Sequence, residues 1–367
     1  MSNLPRLPGG QAGRAQGALY GLAIGDALGM PTQLLSRPQI KARYGPLLTG
    51  FQPAPPGHPI AAGHPAGDVT DDTEQAVLLG RLLIAGGGTI DPADLAAALV
   101  AWEADMKARG SLDLLGPSTR RALAAVQAGV PPEEAGASGD TNGAAMRIAP
   151  VGIAFPLTAP AETPPAGPAA APPLRDNSKK RPAAATTLVD AVVRASFVTH
   201  GTSLALAGAA AVAAAVSAGV AGATVPEATE AAVAAAELAA GRGRWVAGAD
   251  VGARIEWAAG LVAGRPPSEA AELIYQLVGT GLATQESVPA AFAALAATPG
   301  DPWLTARFAA SLGGDCDTIA AMAGAVAGAC HGVAAFPAEA VAVIDRHQLD
   351  LPGLAAALLT LRAADQP

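Results

Sequence analysis

The chain has 367 residues, room for one large domain or two ordinary ones, and its 23 basic and 31 acidic residues leave a net charge of −8. No basic block stands out, which argues against a nucleic-acid surface. Two cysteines, Cys316 and Cys330, cannot build a disulfide framework and read as small buried hydrophobes. Hydrophobic residues make up 51% of the chain but aromatics only 4%, so the core has to be packed from small side chains, above all alanine, the best helix former.

From the N-terminus, "MSNLPRLPGGQAGRAQGALYG" has no apolar core of signal-peptide length, and residues 1–14 read as a flexible lead. Apolar residues then recur at helical spacing in "AVLLGRLLIAG" (76–86), "LAAALVAWEADMKA" (95–108) and "STRRALAAVQAG" (118–129). The stretch "FPLTAPAETPPAGPAAAPPLRDNSKKRPAAATT" (155–187) is different. Its proline, alanine and charge leave too little apolar surface to fold, which predicts a disordered surface insertion at about 156–186. Helical spacing resumes in "TLVDAVVRASFVTH" (187–200), "EATEAAVAAAELAAG" (227–241) and "DVGARIEWAAGLVAG" (250–264). It continues through "VPAAFAALAAT" (288–298), "TIAAMAGAVAGACHG" (318–332) and "LPGLAAALLTLRAA" (351–364). Many of these segments begin after Ser, Thr or Asp and end at Gly, as helices do. Alternating patterns are nearly absent, so the class is all-α.

"LALAGAAAVAAAVSAGVAGATV" (204–225) is uncharged and long enough to span a bilayer. Its alanine and glycine make insertion marginal, and it lacks flanking aromatics. It is expected to be a buried helix of a cytoplasmic protein without membrane contact.

Two acidic clusters carry the chemistry. In "GDVTDDTEQA" (67–76), Asp71 and Glu74 match the capping-box pattern, and acids in a first helical turn suit the helix dipole. The cluster can therefore be read as a helix cap alone. "SLGGDCDTIAAMAG" (311–324) repeats the theme: Asp315, Asp317 and Thr318 stand at a helix start behind a glycine pair. Four carboxylates brought together would repel unless cations lay between them. Hard oxygen donors of this kind suit Mg²⁺ or Mn²⁺, and a pair of ions suits four carboxylates. No His/Cys set has zinc spacing.

With "GALYGLAIGDALGMP", "GDVTDDT", "LGPSTRRAL", "TNGAAMRIAPVG", "THG" and "LGGDCDTIAAMAGAVAGACHG" in this order, the chain resembles the ADP-ribosylglycohydrolase family from about residue 15 to 335. The resemblance implies a single all-α domain over 15–367, a compact orthogonal helix bundle with a dinuclear metal site. It implies cleavage of the bond between C1″ of ADP-ribose and an acceptor. Thr70, Asp71, Asp72, Asp315, Asp317 and Thr318 would hold two Mg²⁺ or Mn²⁺ ions, with Asp71, Asp72 and Asp317 also catalytic. Asp26 would orient the metal site from behind.

Gln33, Asn142, Gly143, His200, Gly313 and Gly314 are the expected substrate contacts, the glycine pair because backbone N–H groups at a helix start can hold phosphate. Arg147 could pair with phosphate or make a structural ion pair, and His331 reads as structural. The expected partner is an ADP-ribosylated protein, or a small molecule containing ADP-ribose or ribose.

Two positions depart from the family pattern. Many members carry a glutamate seven residues after the aspartate of "GDALG", implicated in catalysis in the serine-type enzymes; here that residue is Gln33. A further family acid falls in a D-x-G pattern ahead of "TTR", and Asp113 lies one residue too early for it. An arginine-type N-linked substrate, a small riboside, or an inactive ADP-ribose-binding protein remain as three readings.

Overall fold

A computed structural model describes residues 10–111, 115–157 and 188–364. Among these there is no β-strand, only two isolated bridges, Thr141 with Ala283 and Thr202 with Arg244. The α-helices in chain order are α1 Gln11–Gly29, α2 Arg37–Tyr44, α3 Asp71–Ala85, α4 Pro92–Ala108, α5 Pro117–Gln127 and α6 Pro132–Ala135. Then come α7 Gly143–Met146, α8 Ala149–Ala154, α9 Leu188–Ser196, α10 Ser203–Ala221, α11 Val225–Ala240 and α12 Val251–Val262. The chain ends with α13 Pro267–Leu273, α14 Thr284–Ala297, α15 Pro302–Ala310, α16 Cys316–His331, α17 Ala338–Asp345 and α18 Leu351–Ala364. The all-α expectation holds. The proposed insertion, apart from its first two residues, and Asp113 lie outside the described residues.

The helix starts follow local chemistry. Asp91, Thr202, Thr224, Asp250 and Asp301 each accept a hydrogen bond from a backbone N–H of the helix they open. Thr224 and Glu227 complete a capping box.

The central pair is α1 and α16. Glycine recurs every fourth residue on α1, at 17, 21, 25 and 29, and Ala320, Gly324 and Gly328 answer it on α16. A methyl group at Gly17, Gly21 or Gly25 would overlap the carbonyl of Gly328, Gly324 or Ala320 respectively, and one at Gly29 would overlap the backbone of Asp317. The two helices thus touch backbone to backbone. This stripe continues to the α16 N-terminus and sets Asp317 against the end of α1.

α10 lies beside this pair, against α11, α16 and α8. It is long and apolar enough to cross a membrane, but 94% of its apolar window is buried in the core, as expected for 204–225. Thr202 caps its start, and Gly222, at φ 109°, ends it in the left-handed conformation. Both cysteines are buried, and burial pushes each thiol up to about 12.

One boundary differs from the sequence expectation. Residues 11–14 are the first turn of α1, and Arg14 is buried, donating to the carbonyls of Gly219, Ala329 and Cys330. The flexible lead therefore does not extend to residue 14: the helix C-terminal carbonyls and the Arg14 guanidinium satisfy one another. Phe155, just ahead of the expected insertion, is a core residue whose carbonyl accepts from Ser217 and Arg362.

Candidate active site

The "DVTDDT" segment enters α3 without forming the capping box its spacing allows. Thr70 is the N-cap, yet its hydroxyl caps nothing. It donates instead to Oδ1 of Asp26 at 2.7 Å, and the Thr70 N–H donates to Oδ2 at 2.9 Å. Thr73 adds its own N–H and hydroxyl to the same carboxylate. Asp26, wholly buried on α1, thus clamps the first turn of α3 from behind, as its expected orienting role requires. Glu74 points elsewhere, accepting from Trp102 Nε1 at 2.6 Å and from both terminal nitrogens of Arg109.

The second cluster is positioned by a turn. Gly313 and Gly314 adopt φ of 91° and 70°, and a side chain on either would strike backbone. The Gly314 N–H donates to the Leu35 carbonyl and the Asp315 N–H to the Thr280 carbonyl. These N–H groups are spent on the turn, and neither glycine lines the cavity. The glycine pair therefore shapes the start of α16 through this turn and stands off the cavity wall, where the sequence expectation had it contact the substrate.

The two clusters meet at Asp72. This residue is completely buried; Thr318 donates to its Oδ2 at 3.2 Å, Thr70 reaches the same oxygen at 3.5 Å, and Oδ1 has no hydrogen-bond partner. Burial pushes its carboxyl well above the usual range, and the charges of Asp71, Asp26, Asp317 and Asp315 push it further. Among the described residues, no three His, Cys, Asp or Glu side chains close around one point tightly enough to hold an ion as they lie. The donor chemistry nonetheless fits a hard cation: carboxylates and threonine hydroxyls from both clusters, with a buried acceptor oxygen left unsatisfied at their centre.

In front of Asp72 opens a cavity of about 160 Å³. Asp71, Asp315, Asp317 and Thr318 form its acidic wall, and Gln33, Asn142 and Gly143 line it as expected. Asn142 donates through Nδ2 to Oδ2 of Asp315. Leu34, Ile60, Met146 and Leu282 supply an apolar rim that the sequence did not single out, with Thr119 and Thr141 as added hydroxyls. Thr141 was within reach of sequence reasoning, since it adjoins Asn142; Leu282 gave no signal.

His200 is not on the wall. It is wholly buried, with Nε2 at 3.1 Å from the Thr141 hydroxyl and Nδ1 at 2.8 Å from the Thr199 hydroxyl. Burial first, then the charges of Arg147 and Arg121, hold its pKa well below the usual histidine value, so the ring is neutral. It meets the cavity only through Thr141 and through Gly143, where an added methyl would lie 2.9 Å from its Cε1. Arg147 is also wholly buried and takes neither of its expected roles. It donates to Gln75 Oε1 at 2.9 Å and to the Thr199 hydroxyl at 2.7 Å, and forms no ion pair among the described residues. Burial pushes its pKa down to about 10, against an upward pull from Asp71, and it stays cationic at neutral pH. His331, as expected, is outside the site, bonded to the Pro299 carbonyl.

Comparison with known proteins agrees with the helical fold. The ADP-ribosylglycohydrolase profile matches residues 8–367. The chain is 36% identical over 351 residues to the uncharacterized protein YegU of Escherichia coli (strain K12), covering 95% of this chain and 97% of that one. It is 34% identical over 149 residues, 38% of this chain and 44% of the other, to the ADP-ribosyl-[dinitrogen reductase] glycohydrolase of Rhodospirillum rubrum. Among solved structures, an ADP-ribosylglycohydrolase-related protein complex superimposes with a TM-score of 0.63 at 25% identity, over 96% of this chain and 98% of that one. An all-helical fold, an acidic wall drawn from the two ends of the chain and a profile match over nearly its whole length lead to one conclusion: the chain belongs to the ADP-ribosylglycohydrolase family, and its activity is of the glycohydrolase type.

Proposed function

We propose that this chain is a Mg²⁺- or Mn²⁺-dependent hydrolase that cleaves the C1″ glycosidic bond of ADP-ribosylated substrates, with N-linked, arginine-type acceptors preferred. The observation that supports it best is Asp72: a buried carboxylate with an unpartnered oxygen, pressed by four other acids, is costly unless a cation shares the site. Thr70, Asp71, Asp72, Asp315, Asp317 and Thr318 would hold two ions. Bound there, the ions would grip vicinal ribose hydroxyls, polarise a water and offset the wall's charge. As the bond from C1″ to the leaving nitrogen lengthens, positive charge grows on the sugar carbon, facing the carboxylates of Asp71 and Asp317. Water adds to C1″, and its proton passes to one of these carboxylates. The electron pair of the broken bond leaves on nitrogen, which takes up a proton in turn. Neutral Gln33 cannot serve as a general base, which favours a nitrogen leaving group over a serine oxygen.

A second substrate reading has its own observation. A cavity of about 160 Å³ is below the roughly 300–1,000 Å³ of pockets that enclose drug-sized ligands, so it has room for a ribose and little more. A small N-riboside would fit within it, whereas an ADP-ribosyl group would extend over the apolar rim. The experiment is a hydrolysis panel of ADP-ribosyl-arginine, ADP-ribosyl-serine and simple N-ribosides, with Mg²⁺, Mn²⁺ or chelator. Inhibition by free ADP-ribose separates the two substrate classes. Metal-loaded protein that turns over nothing would count for a binding protein.

A further inference from the structure

A chain of buried side chains starts and ends on the wall of the cavity. Asp71 Oδ2 accepts from Gln75 Nε2 at 3.0 Å, and Gln75 Oε1 accepts from Arg147 Nη1 at 2.9 Å. Arg147 Nη2 donates to the Thr199 hydroxyl, which contacts Nδ1 of His200, whose Nε2 meets the hydroxyl of Thr141. Asp71 and Thr141 both line the cavity; Gln75, Arg147, Thr199 and His200 between them are buried.

Chemistry dictates the orientation of the Gln75 amide. A guanidinium has only donors and a carboxylate only acceptors. Turning the amide over would set NH₂ against the guanidinium and carbonyl against carboxylate, so Arg147 forces the Gln75 N–H toward Asp71. The guanidinium itself has been taken out of water without an ion pair among the described residues, and its Nε has no partner. A cation held only by neutral oxygens is poor value as a stabilising contact. It makes sense as a fixed charge behind the acidic wall, one amide removed from Asp71.

We infer that Gln75 and Arg147 are a positioning pair, which holds the Asp71 carboxylate in the orientation needed to bind a divalent cation. The inference rests on the metal-dependent reading above. It assigns no chemistry on the substrate to either residue: both act through Asp71.

The test is calorimetric titration of Mn²⁺ into the whole chain, as wild type and as Gln75→Met, Gln75→Glu, Arg147→Met and Arg147→Lys. Gln75→Met removes both hydrogen bonds. Gln75→Glu keeps the acceptor for Arg147, removes the donor to Asp71 and sets a second carboxylate against it. Partners that orient metal ligands typically contribute about 10- to 100-fold in affinity, and a loss of that order is expected for both Gln75 variants and for Arg147→Met. Arg147→Lys, which keeps a buried cation and a donor, should recover part of the loss, a rescue that mere filling of the core would not show. Circular dichroism establishes that each variant is folded; if Gln75→Met is not, Gln75→Glu decides. Wild-type Mn²⁺ affinity in the folded Gln75 variant overturns the inference and leaves the metal-dependent reading standing. A wild-type chain that binds no Mn²⁺ overturns both.

Discussion

The Thr318 hydroxyl donates to Oδ2 of Asp72 at 3.2 Å, across 246 positions of sequence. This bond joins the first turn of α16 to the first turn of α3, and around it the two acidic clusters become one wall. Asp72 lies buried behind that wall, and its unpartnered Oδ1 leads to the first prediction. Asn at this position replaces a carboxyl that burial and its acidic neighbours make costly to ionise, and places an N–H donor among carboxylates. The metal-free protein should therefore gain stability, by about 1–3 kcal/mol, the usual cost of an unsatisfied buried polar group. The same substitution should abolish the gain in melting temperature that Mn²⁺ confers on wild type. Thermal unfolding of both proteins with chelator and with Mn²⁺ checks this; a metal-free Asp72→Asn protein less stable than wild type would refute the claim that the buried Asp72 carboxyl is costly without a cation.

The glycine stripe predicts opposite signs for two chemically identical changes. Gly21→Ala would push a methyl into the Gly324 carbonyl, where no flexible side chain can give way. The expected loss is at the upper end of overpacking effects, about 3 kcal/mol or more. Gly260→Ala, on α12, meets nothing within 4 Å and should gain about 0.5–1 kcal/mol from helix propensity alone. Denaturant unfolding of the two variants tests the packing, and equal effects would mean that α1 and α16 are not in backbone contact.

His200 ties stability to pH. Its folded pKa lies well below 6.5, so near that pH the unfolded chain binds a proton that the native protein refuses. Stability from this group is therefore complete above about pH 6.5 and falls as the pH drops toward the folded pKa, by at most about 1.4 kcal/mol per pH unit. His200→Gln should lose less stability than wild type between pH 7.5 and 5.5. His58, whose pKa burial also lowers, keeps some slope in the variant, so the difference between the two proteins at each pH is the quantity to measure. Parallel pH profiles would show that the fold does not lower the pKa of His200.

The helical class and the two acid–threonine clusters were legible in the sequence because both are local: apolar spacing and short-range composition carry them. Asn142 and Gly143 were legible from one motif. The errors came where distant packing decides. Asp71 and Glu74 have capping-box spacing, but Trp102 and Arg109 draw Glu74 away. Gly313 and Gly314 look like a phosphate cradle until Leu35 and Thr280 take up the N–H groups of Gly314 and Asp315. Arg147 finds an amide and a hydroxyl where an ion pair or a phosphate was expected. Residues 11–14 look like a tail, but Arg14 meets three carbonyls contributed by the ends of α10 and α16. Each is a long-range pairing that no spacing rule encodes.

Gln33 provides the test of linkage preference. It is nearly buried on the cavity wall beside Asp71 and Asp317. Its backbone is held at both ends, the N–H by the Gly29 carbonyl and the carbonyl by His58 Nε2, each at 2.9 Å. The ring of His58 is oriented in turn, because its Nδ1 accepts from the Ile60 and Ala61 N–H groups. Gln33→Glu is thus nearly isosteric on a fixed backbone, and what changes is the charge and the ability to move a proton. If a carboxylate here is the base that serine-linked ADP-ribose requires, wild type should be almost inert on that linkage. The variant should gain on the order of 10²-fold, the usual effect of a general base. Activity on an N-linked substrate should change little, since Asp71 and Asp317 are the same in both proteins. A further carboxylate on that wall should also lower the melting temperature of the metal-free variant and raise the stabilisation that Mn²⁺ gives it. Assaying wild type and Gln33→Glu side by side on serine-, arginine- and small N-linked substrates, with Mg²⁺ and with Mn²⁺, reads all of this at once. Equal rates of the two proteins on serine-linked ADP-ribose would remove Gln33 from any account of specificity.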